Sequence, residues 1–158
     1  MSFGVQYPNL ALNTFKSNKN MKTTEKMMVH VPTPVSYEAF ENAIVSALEG
    51  GSNYWYLLNV SSADKEFEDV PKEDDFRYLS IKIAWKLYHD PNFKLIVYDL
   101  ENEDRVLGIV NQFRCQLAIM KMSEEYPLHY EDFINDRGDA DTGDVFFQLA
   151  TMGDLVFG

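Results

Sequence analysis

Glu49-Gly50-Gly51-Ser52-Asn53-Tyr54-Trp55-Tyr56-Leu57-Leu58 is the stretch whose reading decides the fold. Upstream of it, Ser36 is a good helix N-cap, because its hydroxyl can accept from an orphan amide of the first turn. Val35 and Phe40 stand at the spacing of a hydrophobic staple. Phe40, Ala43, Ile44, Ala47 and Leu48 then recur three and four apart, which predicts one apolar stripe on a helix. Gly50 is expected to end that helix in the left-handed conformation, with Gly51 as a second permissive position. The aromatic run from Asn53 to Val60 then reads as a strand. Tyr54, Tyr56, Leu58 and Val60 would point one way and Asn53, Trp55, Leu57 and Asn59 the other.

The corner admits two readings. In one, its glycines stop a helix before an ordinary aromatic strand. In the other, a bare glycine backbone beside Asn53 and Trp55 makes the wall of a ligand site.

Outward from the corner, the sequence reads as α+β: helices packed around a small central sheet in one domain. Residues 1–35 are an arm with a short strand (Met27 to Val31), and residues 36–158 are the domain proper. A charged loop from Asp64 to Asp75 precedes a helix starting near Asp74 or Asp75. That helix has two apolar stripes, Phe76, Leu79, Ile83, Ala84 and Leu87 on one side and Tyr78, Ile81, Trp85 and Tyr88 on the other. The second stripe is rich in the aromatic residues that anchor interfaces, so a homodimer or higher closed oligomer through it is expected. Phe93 to Leu100 is the clearest strand. A long helix is then expected from Glu103 or Asp104, burying Val106, Val110, Phe113, Leu117 and Met120. A short helix over Leu128 to Ile134 leads to the turn signal Asn135-Asp136-Arg137-Gly138. The last helix, from about Asp141 to Met152, is stopped by Gly153, with Leu155-Val156-Phe157 as a terminal strand.

Length and composition bound the class. With 158 residues, 46% of them apolar, the chain can fill a core without metal or disulfide support. Cys115 is the one cysteine, which excludes an internal disulfide and fits a reducing compartment. No apolar run approaches the roughly 18 residues of a membrane span, and no signal peptide opens the chain. A cytoplasmic protein is expected. Lys16, Lys19, Lys22 and Lys26 against Glu25 give residues 1–36 a charge of +3, leaving −14 on the rest of a chain whose total is −11. Such a body repels nucleic-acid phosphates, so direct nucleic-acid binding is not expected. It suits solubility, a basic protein partner, or mimicry of a nucleic acid's charge.

Chemistry finds little purchase. Asp139-Ala140-Asp141-Thr142 has the spacing of an aspartyl-phosphatase nucleophile motif. The polar turn before it and the short remainder after it are wrong for that fold. Its acids also resemble part of a calcium loop, without the glycine register or terminal glutamate. An N-cap and first-turn charge cluster explains them more simply. His30, His89 and His129 share no metal-ligand spacing, and no Gly-x-Ser-x-Gly elbow, P-loop or paired CxxC occurs. Only His129, near Glu131, Asp132 and the Asp139/Asp141 pair, has acid–base neighbours in sequence. The reading is of a non-enzyme with no cofactor and no metal.

Two blocks stand out together: Ala47-Leu48-Glu49-Gly50-Gly51-Ser52-Asn53-Tyr54-Trp55, and the run from Asp139 to Gly158 containing Asp144, Gln148 and Phe157-Gly158. They resemble a family of small uncharacterised bacteriophage and prophage proteins. Its members pair an Ala-Leu-Glu-Gly-Gly-x-Asn-Tyr-Trp block with a C-terminal Asp-Ala-x-x-Ala-Asp-x-x-x-Gln-x-x-x-Phe-Gly block, ending near a Tyr-Gly. This chain has Gly143 in place of alanine, Met152 in place of phenylalanine and Phe157 in place of tyrosine. The resemblance covers residues from about 36 onward and implies a phage-encoded accessory protein working in the bacterial host cytoplasm. It carries no catalytic residues with it.

The leading expectation is a protein that counters host defence by binding a small host molecule, such as a nucleotide-like immune signal. Its site would join Gly50, Gly51, Asn53 and Trp55 to Asp139, Asp141 and Asp144. The alternative is an acidic inhibitor that binds a host enzyme, either one that handles nucleic acid or one of defence. A hydrolase using His129 and the aspartates is the third, weaker reading.

Overall fold

The computed structural model describes residues 32–158, apart from the side chains of Asp74 and Asp75. The expected N-terminal arm, up to residue 31, and with it the strand at Met27 to Val31, lies outside the described residues. The compact unit, Thr33–Gly158, is α+β. In chain order it comprises α1 (Tyr37–Ser46), β1 (Tyr56–Leu58), α2 (Leu79–His89), β2 (Leu95–Asp99), β3 (Val106–Val110), α3 (Gln112–Glu125), α4 (Pro127–Ile134) and α5 (Ala140–Met152). The three strands form one antiparallel sheet in the order β1-β2-β3.

Helix α1 begins as its sequence dictates, with the Ser36 hydroxyl accepting from the Ala39 amide at 3.1 Å. Its end differs from expectation. Gly50 is not left-handed; among the described glycines only Gly153 has a positive φ. The helix instead widens into a π-helical turn, Ala47–Gly51, closed by the Ser52 amide donating to the Ala47 carbonyl at 2.9 Å. Residues Ser52 to Trp55 form a tight turn, with the Trp55 amide donating to the Ser52 carbonyl. Strand β1 is therefore shorter than the alternation suggests.

The larger departure lies after β2. The expected long helix from Glu103 or Asp104 does not form there. Residues Val106–Val110 turn back as strand β3, and α3 starts only at Gln112, capped by the Asn111 side chain accepting from the Arg114 amide at 2.9 Å. β-branched Val106, Ile109 and Val110 favour the strand. Gly108 completes the case: a methyl at its Cα would lie 2.1 Å from the Thr151 carbonyl oxygen, so β3 rests directly on α5. Of the stripe expected to be buried only Val110 is in the core, on β3; Val106, Phe113, Leu117 and Met120 are turned outward, and α3 buries Cys115, Ala118 and Met122 instead.

Helix α2 buries Ile83, Ala84 and Leu87, with Leu79 and Phe76 packed at the margin. It begins at Leu79, after a separate 3₁₀ turn at Asp74–Arg77; any capping by the Asp74 or Asp75 carboxylates lies outside the described side chains. Lys86 is buried, and its ammonium meets Asp90 at 2.7 Å and Asp69 at 3.1 Å, tying the charged loop to the helix. Helix α5 is the central element. Phe146, Phe147, Leu149 and Ala150 are fully enclosed among α1, α3, α4 and the sheet. Gly153 ends it at φ +82°, as its sequence predicts. The terminal Leu155 to Phe157 segment does not join the sheet as a strand. No described helix is long and apolar enough to cross a membrane.

Candidate functional site

Asp144, one turn into α5, brings the two distinctive blocks together. Its Oδ1 accepts from the Ser52 hydroxyl at 2.6 Å and the Trp55 indole Nε1 at 2.8 Å. Its Oδ2 accepts from the Tyr54 hydroxyl at 2.9 Å and the Gln148 amide nitrogen at 2.9 Å. Gln148, one turn further on, also donates to the Phe157 carbonyl at 2.8 Å. Its oxygen accepts from the Val156 and Phe157 amides at 2.9 and 2.8 Å. A buried glutamine thus pairs with the terminal segment much as a neighbouring strand would, which is why Leu155 to Phe157 needs no place in the sheet. The Phe157 ring then stacks on Trp55, with centroids 5.4 Å apart and planes 11° off parallel.

The expected site residues divide accordingly. Trp55 is 2% exposed and belongs to the core. Gly51 touches α5 so closely that a methyl on it would lie 2.1 Å from the Ala140 carbonyl oxygen. Gly143 is equally tight against α1, since a methyl there would lie 2.8 Å from the Ala47 nitrogen. Gly50 faces open space, and Asn53 is exposed in the turn. Asp139 caps α5 by accepting from the Thr142 amide at 3.0 Å, and Asp141 is exposed in the first turn. That amide bond holds the Asp139 carboxyl below its ordinary range. Of the seven positions, Trp55 and Asp144 are bonded to each other and Gly51 packs against the α5 backbone at Ala140, whereas Gly50, Asn53 and Asp141 are exposed and Asp139 is a helix cap. Ser52, Tyr54 and Gln148 complete the network, and the sequence alone did not single them out. The one available signal was the i,i+4 spacing of Asp144 and Gln148 on the helix face toward the corner.

At the Tyr54 hydroxyl, burial and the Asp144 carboxylate together push the pKa up to about 12, so the phenol stays a donor at neutral pH. His129 Nδ1 sits 3.0 Å from the Thr142 hydroxyl, between α4 and the start of α5. Among the described residues no group of three or more His, Cys, Asp or Glu side chains is placed to hold a metal ion.

The four aromatic-stripe residues of α2 are dispersed. Tyr78 is exposed before the helix starts, with the Arg77 guanidinium 5.0 Å above its ring. Ile81 is half-buried. Trp85 and Tyr88 pack on the domain's own core, and the Tyr88 hydroxyl donates to the Val35 carbonyl at 2.9 Å.

Two further surfaces stand out among the described residues. A groove of about 670 Å³ is lined by apolar Phe67, Val70 and Phe76 with Lys72, Arg77 and Lys82 at its walls, alongside Glu68 and Glu73. The second is the sheet's outward face. Register pairs Leu57 with Tyr98, Tyr98 with Val106, and Ile96 with Ile109. Ile96, Val106 and Ile109 are exposed, whereas Tyr56, Leu58, Leu95, Val97 and Val110 face the core. An antiparallel sheet with one free face ordinarily alternates apolar-in and polar-out. Here the strand side chains that face outward carry no charge, and the exposed charged residues next to them in the chain are Lys94 before β2 and Glu101, Glu103, Asp104 and Arg105 in the hairpin, acids outnumbering cations. Comparison of the chain with family models, with curated proteins and with solved structures gives no match.

Proposed function

We propose that the protein is a non-enzymatic accessory protein that acts by binding another protein, one presenting positive charge. The observation that carries this reading is the outward face of the sheet, uncharged and apolar across Leu57, Ile96, Tyr98, Val106 and Ile109 and bordered by acids. A charge-free centre with a charged rim is the anatomy of protein interfaces, and the net charge of −11 favours a basic partner. The likeness of the two blocks to phage proteins supports a setting inside an infected bacterium, with a host enzyme as the partner. The filled corner removes the main support for a small molecule held between Gly51, Trp55 and Asp144.

A photo-crosslinking residue at Ile109, introduced in infected cells, identifies the partner, and the purified pair is then reconstituted. The complex is expected to weaken as salt rises and to be lost in an Ile96→Lys, Ile109→Lys double variant. Full binding by that variant would overturn the assignment of this face.

A small-molecule reading keeps one independent support, the groove at Phe67 to Lys82. Its volume lies in the range of ligand sites, and its cations suit an anion with an apolar part. Thermal-shift measurements with a panel of nucleotides test it, with Lys72→Ala and Arg77→Ala abolishing any shift found.

A further inference from the structure

We infer that the outward stripe of α3, Phe113, Leu117 and Met120, is a seam on which a second copy of this chain packs in antiparallel, two-fold fashion. These side chains are 63%, 39% and 47% exposed, although they stand four and three apart, the spacing of a helix–helix contact. The opposite face of the same helix buries Cys115, Ala118 and Met122. Helix α3 is therefore apolar on two sides, and the domain covers only one of them.

The occupant follows from charge. Both cations of α3 are engaged by the end of α5 and the residues after it, and Lys121 also pairs with Glu125 and Asp154. Arg114 donates to the Ala150 and Thr151 carbonyls at 3.2 and 3.1 Å, and Lys121 donates to the Gly153 carbonyl at 2.9 Å. Exposed Gln116 and Ser123 flank the stripe, so it carries no charge of its own before Glu124. A like-charged copy of the chain meets its partner with least repulsion on such an uncharged surface.

Antiparallel packing also matches the ends. A two-fold axis at Leu117 sets that residue against itself and Phe113 against Met120. It brings Glu125, at the carboxyl end of one helix, beside the amino end of the other. The macrodipole makes that end positive and favourable to carboxylates. Closed two-fold dimers are the commonest assembly of a single chain. This seam replaces the α2 stripe as the dimer surface, because Trp85 and Tyr88 are already engaged within the domain.

The test is the oligomeric state with a position-specific crosslink. The purified full chain is expected to scatter light as twice its 18.3 kDa mass. Leu117→Glu is expected to halve that mass while leaving the far-UV spectrum unchanged. Leu117→Cys is expected to form an intermolecular disulfide under mild oxidation, at least tenfold faster than Leu128→Cys, which is exposed elsewhere. A monomer at about 100 μM, a weak-association limit, would overturn the proposal. So would a dimer that survives Leu117→Glu, or equal crosslinking from both positions. A dimer dispersed by Ile109→Lys but not by Leu117→Glu would assign self-association to the sheet face and overturn the seam.

Discussion

The Trp55 indole donates to the Asp144 carboxylate across 2.8 Å and 89 residues of chain. That bond, with those from Ser52, Tyr54 and Gln148, makes the two most distinctive stretches of the sequence a single internal fastening. Asp144→Ala is expected to leave the Ser52 hydroxyl and the Trp55 Nε1 buried without an acceptor and to cost about 3 kcal/mol. Asp144→Asn should rescue part of this, since its oxygen can still accept from Ser52 and Trp55 while its amide hydrogens would face the Tyr54 hydroxyl and the Gln148 amide. Equilibrium urea denaturation checks both. Trp55→Ala, which empties a fully packed site, is expected to cost about 3–5 kcal/mol.

The adjacent glycines separate cleanly. Gly50 has no left-handed φ, and a methyl added to it would meet nothing within 4 Å, whereas one on Gly51 would collide with the Ala140 backbone. Gly50→Ala is expected to be neutral or to stabilise by about 0.4–1 kcal/mol through the unfolded chain. Gly51→Ala is expected to destabilise by about 1–3 kcal/mol, because backbone rather than a flexible side chain must give way. Thermal melts of the two variants, run side by side, decide the matter; equal melting temperatures would contradict the packing.

The contrast shows what the sequence could reveal. A glycine pair at a helix end signals a corner, but only the partner surface says which glycine is obligatory, and that surface is Ala140, far along the chain. The helix caps at Ser36 and Asp139 and the stop at Gly153 were legible because each depends on a few neighbouring residues. The region from Val106 to Met120 misled for the opposite reason. Val106, Val110, Phe113, Leu117 and Met120 fit a helical period, yet the same valines fit a strand, and the hairpin loop between β2 and β3 lacks glycine and proline. Asn111, a natural N-cap, was the local sign that α3 starts later. The helical period also hid both exposed apolar surfaces, since residues assigned to the core are not sought on the outside.

Cys115 is 2% exposed, and burial pushes its thiol up to about 12. It is expected to stay a thiol at neutral pH and to resist Ellman's reagent in the native protein. One equivalent should react at once in urea. Rapid stoichiometric reaction without denaturant would show that the α3 core opens far more readily than its packing suggests.

Asp139 links stability to pH through the cap of α5. Its amide bond with Thr142 lowers the folded carboxyl below the ordinary aspartate value. The group therefore contributes stability that is fully present above about pH 4, the unfolded value, and is lost as pH falls through the folded one. Asp139→Ala is expected to cost about 1 kcal/mol at pH 7. The gap between variant and parent should narrow steadily in urea titrations repeated at decreasing pH.

Gln148 offers the sharpest test, because a single-atom exchange changes the chemistry and not the shape. Its nitrogen points at two acceptors, Asp144 Oδ2 and the Phe157 carbonyl, and its oxygen at two donors, the Val156 and Phe157 amides. Only one orientation of the amide satisfies all four. Gln148→Glu keeps the volume and the two bonds to the terminal amides. It also sets a negative oxygen against the Asp144 carboxylate at 2.9 Å, in a position 1% exposed. An unpaired buried charge of this kind is expected to cost about 3–5 kcal/mol at pH 7. The introduced carboxyl would have a folded pKa raised by burial and by Asp144, so its penalty applies at pH above the unfolded glutamate value. The penalty should fall as pH drops through the folded value, where the protonated acid can donate to Asp144 as the amide did. Denaturation of Gln148→Glu at pH 7 and pH 5 checks the sign: the variant should recover relative to the parent at the lower pH. A penalty unchanged between the two would mean that Asp144 and residue 148 do not face each other.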